Sequence, residues 1–130
     1  MIVEWEECEV TGIARVDADN RMVVALVNEL EVALAVDSPA EVMAATFDAL
    51  IRQVDEHFGR EEAAFAGLAA MRADGHAAEH RAIAALTREL KAAWRAGGPG
   101  ALDDQALRRF ARAWLHHIHT ADLELAAALP

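Results

Sequence analysis

Residues 39–62, PAEVMAATFDALIRQVDEHFGREE, place apolar side chains at Met43, Phe47, Leu50 and Val54, in alternating steps of four and three. That is the period of a helix with one face turned toward a core. The same register continues to His57, Glu61 and then Leu68. A histidine and a glutamate therefore stand in the seam, where the pattern asks for hydrocarbon. Residues four apart lie roughly 40° apart around a helix axis, so both point the same way, one turn above the other. Ser38-Pro39-Ala40-Glu41 at the head of the stretch reads as a capping box with proline at the first helical position.

Three more stripes flank this one. Val23, Val27, Leu30 and Leu34 form the first. His76, His80, Ile83, Thr87, Leu90 and Trp94 form another, and Leu107, Phe110, Trp114, His117 and Ala121 form the last. Gly97-Gly98-Pro99-Gly100 stops the third helix, Asp103 or Asp104 can cap the fourth, and Gly67 to Gly75 separates the second from the third. Strand signals are nearly absent after residue 13. Short connections force antiparallel neighbours. The expected fold is all-α: an up-down-up-down antiparallel four-helix bundle, one domain over residues 1–130. Its helices are expected at about 16–36, 39–67, 72–96 and 103–128. A non-helical N-terminal arm, residues 1–13, would pack Val3, Trp5, Val10 and Ile13 on the outside.

Bulk properties narrow the function. A chain of 130 residues, 55% hydrophobic and 26% charged, is one domain with a real core. The net charge of −10 and the lack of a basic stripe argue against nucleic acid or an anionic membrane as partner. No apolar run approaches the roughly 20 residues that span a bilayer. Cys8 is the only cysteine, which suits a reducing compartment and excludes iron–sulfur clusters and thiolate zinc sites. A soluble, cytoplasmic protein is expected. There is no HExxH, no Glu-x-x-His, no GxSxG, no P-loop and no tyrosine. Zincin, ferritin-like, hydrolase, nucleotide-binding and tyrosyl-radical chemistries therefore lack support.

Four seam histidines (His57, His76, His80, His117) and one seam glutamate (Glu61) lie on three helices. Burying so many polar groups unpartnered would cost several kcal/mol. A metal satisfies them together, and imidazole with carboxylate suits iron, zinc or manganese. Asp122 follows His117 by five residues, about 140° around an ideal α-helix, so spacing alone does not pair them. Asn20 lies in the seam of the first helix, three before Val23 and seven before Val27, and is expected to face the site. Asp19 sits about 100° away and could ligate only after a register shift. His116 and His119 fall off the stripe; Glu56, Glu62 and Glu79 read as surface charge.

Several short motifs now occur in order. His57-Phe58-Gly59-Arg60-Glu61-Glu62 is similar to HFxxEE, His76-Ala77-Ala78-Glu79-His80 to HxxxH, and His117-Ile118-His119-Thr120-Ala121-Asp122 to HIxxxD. With Trp5, Gly12-Ile13 and Val16-Asp17, the chain resembles bacterial hemerythrins over nearly its whole length. The resemblance implies a carboxylate-bridged site for two irons that binds dioxygen or a similar small diatomic ligand. His76, His80 and His117 would hold one iron, His57 the other, and Glu61 and Asp122 would bridge them. The family opening continues to a histidine ligand where this chain has Asn20. An amide is a weaker donor than imidazole, so the second iron is expected to be weakly held or absent. The alternatives are an oxidase- or peroxidase-like enzyme using the open coordination position, or a metal-storage or degenerate structural domain.

Overall fold

The four stripes become four helices in the computed structural model, which describes residues 11–69, 74–97, 102–122 and 126–127. They are α1 (Ala14–Ala35), α2 (Ala40–Ala64), α3 (Asp74–Gly97) and α4 (Asp104–His117), and α4 runs directly into a π-helix, Ile118–Asp122. The side chains of Ala121 and Asp122 lie outside the described residues, as do residues 1–10 of the expected arm, Trp5 included. The helices form an antiparallel up-down-up-down bundle, each packed on its neighbour in sequence and α1 closing against α4. Leu30, Phe47, Leu50, Val54, Ile83, Leu107, Phe110 and Trp114 fill its axis, fully buried. Burying each such side chain contributes roughly 1.5–3 kcal/mol. Among the described residues, no helix is long and apolar enough to cross a membrane.

The helix ends fix where the site forms. Asp17, in the first turn of α1, accepts hydrogen bonds from the backbone N–H of Thr11 (2.8 Å) and Gly12 (3.1 Å) and from the Thr11 hydroxyl (2.7 Å). Gly12 turns the chain there at φ +86°, a conformation that favours glycine. At the other end of α1, the N–H of Ser38 bonds the carbonyl of Ala33 and that of Asp37 bonds Leu34. These two bonds make a Schellman motif, with Asp37 in the left-handed position at φ 53°. The start of α2 departs from expectation. Pro39 itself is the N-cap, its carbonyl accepting from Met43, and no side chain caps the helix. The Ser38–Glu41 box therefore does not form. Asp103 does cap α4, accepting from the N–H of Ala106 at 3.1 Å. The antiparallel order brings the start of α1, the end of α2, the start of α3 and the end of α4 to one end of the bundle.

Candidate metal centre

The seam glutamate is where the polar residues meet. Glu61, almost wholly buried, turns Oε1 toward the Nε2 atoms of His76 (3.0 Å), His80 (3.3 Å) and His117 (3.9 Å), and Oε2 toward Nε2 of His57 (3.1 Å). Helix geometry explains it. His57 and Glu61 are one turn apart on α2, His76 and His80 one turn apart on α3, and both faces meet the end of α4. One donor atom each from Glu61, His76, His80 and His117 fall within 4.8 Å of one another, all four residues buried. Donors at about 2.0–2.2 Å from a common cation stand roughly 3–4 Å from each other, so this spacing suits one ion. Burial alone would raise the Glu61 carboxyl, but the contacts with His117, His57 and His80 outweigh it and hold the group well below the ordinary carboxylate range. It is an anion set among imidazoles.

Two of the far ring nitrogens are also occupied: Nδ1 of His57 lies 2.8 Å from Asp19 and Nδ1 of His117 lies 2.6 Å from Glu79, whereas Glu62 comes within 3.2 Å of Nδ1 of His80 without forming a hydrogen bond. Asp19 is fixed in turn by Arg60 (3.1 Å) and Gln53 (3.3 Å). Burial would raise its carboxyl, but hydrogen bonds from His57 and Arg60 bring it below the ordinary value. A carboxylate on Nδ1 fixes the tautomer and leaves Nε2 as the inward-facing donor, the arrangement that metal-binding histidines use. Glu79, expected from the sequence to be surface charge, instead grips a ring nitrogen from a partly exposed position, while Glu62 is exposed as expected. Asp19 needs no register shift to take part, since it acts through His57. Each of these carboxylates comes from a helix other than its histidine's own, so no local spacing announces it.

Aromatic packing holds the rings in place. Phe58 stacks on His80 with centroids 3.9 Å apart and planes 8° from parallel, and meets His117 edge-on at 5.4 Å. Trp114 stands 5.7 Å from His57. Phe58 and Trp114 thus wall the site in hydrocarbon, which strengthens every charge interaction inside it.

Asn20 is 1% exposed, and neither its amide nitrogen nor its amide oxygen has a hydrogen-bond partner. Buried polar groups rarely stay unsatisfied, so an orphaned amide next to Asp19 marks a place for a further ligand or water. Asp122 ends the π-helix. A π turn pairs residues five apart rather than four, so position 122 returns toward the turn carrying His117 instead of standing about 140° from it. The change of helix type removes the objection that α-helical spacing raised; the Asp122 side chain itself is outside the described residues. His116 and His119 are exposed.

The donor set, the spacing and the unpartnered Nε2 of His80 fit a cation of the borderline type that imidazole and carboxylate favour. A cavity of about 550 Å³ reaches His57, Asp19 and Glu61 from between the start of α1 and the end of α2. Compared with known proteins, residues 11–129 match the family model described as the hemerythrin HHE cation-binding domain. No curated protein and no solved structure matches the chain.

Proposed function

Because the chain belongs to the hemerythrin HHE cation-binding domain family, we propose that it is a non-haem iron protein that binds dioxygen or another small diatomic ligand at an asymmetric two-metal site. The observation that carries this reading is the convergence of four histidine Nε2 atoms on the buried Glu61 carboxylate. His76, His80 and His117 hold the first iron, with Glu61 as the shared carboxylate. His57 would serve a second together with Glu61 and Asp122, with Asn20 as the neutral group on that side. Bound iron supplies a coordination position for a small ligand that no side chain of the protein can offer. The protein does the rest: Glu79 and Asp19 aim the rings of His117 and His57, Phe58 stacks on His80, Phe58 and Trp114 exclude water, and Glu61 offers one oxygen to each side.

The asymmetry follows from donor count. The first position has three imidazoles; the second has one imidazole and a neutral amide, which adds little affinity. Iron per chain should therefore fall in two stages under mild chelation, the second position emptying first. His76→Ala should abolish binding at the three-histidine end and lower the melting temperature. Asn20→His should raise occupancy toward two irons and strengthen any oxygen-dependent visible absorption. Unchanged iron content in His76→Ala would overturn the site assignment. Wild type holding two irons as tightly as Asn20→His would overturn the asymmetry.

A further inference from the structure

The cavity beside His57 is out of proportion to a diatomic ligand. It measures about 550 Å³, whereas a water molecule takes about 30 Å³ of liquid. Sites for organic ligands run from roughly 300 to 1,000 Å³. Its lining has two characters. Ile13, Val16, Ala64 and Phe65 present hydrocarbon, while Arg15 and Arg60 bring guanidinium groups to the same space. On its buried side are His57 and Glu61, so whatever fills it lies against the second metal position.

The two arginines at the cavity are only partly engaged by the carboxylates around it. Glu61 is turned onto four imidazoles. Asp19 is taken up by His57 at 2.8 Å and Arg60 at 3.1 Å. Arg60 has one more carboxylate at 3.7 Å, that of Glu56, and its Nε is buried without an acceptor. Among the described residues, the carboxylate paired with the Arg15 Nε is that of Asp19 at 3.7 Å, and the Arg15 side chain is 65% exposed. Two guanidinium groups thus keep donor capacity beside an apolar wall, and a carboxylate is the acceptor whose geometry matches them.

We propose that this cavity binds a small organic monocarboxylate. Its apolar body lies along Ile13, Val16 and Phe65, and its carboxylate meets Arg15 and Arg60 beside the second metal position. This deepens the functional reading by giving the same site an organic ligand, and it rests on that reading only for the metal alongside.

The test is calorimetric titration of the full, iron-loaded chain with octanoate, octanol, octylammonium and acetate. Octanoate should bind saturably at one per chain, at least tenfold tighter than octanol, which lacks the charge, and than acetate, which lacks the body. Ala64→Trp, which fills the cavity from the end of α2, should weaken octanoate at least tenfold at unchanged iron per chain. Arg15→Gln, at an exposed position that tolerates change, should weaken octanoate at least tenfold and leave octanol unchanged. Absence of saturable octanoate binding overturns the proposal, as does octylammonium binding as tightly. So does unweakened octanoate binding in Arg15→Gln, or in an Ala64→Trp protein of native iron content. Iron is measured in every sample. A chain that binds octanoate but never holds iron overturns the functional reading alone, and an iron-loaded chain indifferent to octanoate overturns this proposal alone.

Discussion

Glu79 has no place in any apolar stripe, yet its carboxylate lies 2.6 Å from Nδ1 of His117, across the gap between α3 and α4. Its position in the chain, one residue before His80, suggests only a solvated charge, and it is still partly exposed. Its work is to fix which nitrogen of His117 faces Glu61, as Asp19 does for His57. Outer partners of this kind typically govern metal affinity by about 10–100-fold. Glu79→Ala should therefore weaken iron binding by about tenfold or more in a competitive chelator titration, with the helical circular dichroism spectrum unchanged. Glu79→Gln, which keeps an acceptor oxygen but not the charge, should fall between. A Glu79→Ala protein with native affinity would show that His117 is oriented by packing on Phe58 alone. The histidines were legible in the sequence because they keep helical register with the core; their outer carboxylates were not, because hydrogen bonds between helices leave no periodic trace.

Helix ends show the same division. The sequence places a turn at Asp37-Ser38-Pro39, but the structure forms a Schellman stop on α1 rather than the capping box on α2. The box does not form because Pro39 occupies the N-cap position with extended ψ, and the preceding Ser38 has its N–H bonded back to Ala33. Asp37 bears the cost. A non-glycine residue in the left-handed region loses roughly 1–2 kcal/mol, partly recovered because aspartate can hydrogen-bond locally. Asp37→Gly should raise stability by about 0.5–1 kcal/mol after the extra freedom of the unfolded chain is counted. For a domain of this size that is a melting temperature higher by roughly 2–4 °C, read by thermal denaturation. A lower melting temperature would mean that the Asp37 carboxylate does more than occupy the turn. At the far end of α4 the switch to a π turn over Ile118–Asp122 decides the register of position 122, and no α-helical wheel drawn on the sequence could show it.

The core of the bundle lies apart from the candidate metal centre. Leu30, Phe47, Leu50, Leu90, Leu107 and Phe110 form a continuous core that contains no site residue. Without metal the buried Glu61 still has the imidazoles of His76 and His57 within 3.1 Å, so the polar end is not left bare. The metal-free protein should therefore keep its helical circular dichroism spectrum and a cooperative thermal transition. A saturating cation that binds only the folded state should add about 2.7 kcal/mol at a hundredfold excess over Kd, on the order of 10 °C in melting temperature. A metal-free chain with a random-coil spectrum would show that the core is insufficient by itself.

The sequence alone determined the helical class, the antiparallel order and the set of inward histidines, because each is written as a period of about 3.6 residues that only one arrangement of short loops can satisfy. Tertiary structure decided what those histidines face. Asp19 and His57 are 38 residues apart, as are Glu79 and His117, and the cavity by His57 is bounded by two helix ends. Periodicity records which side of a helix turns inward. Which group meets it there depends on the rotation and height of the neighbouring helix, and these are set by the packing of the whole core.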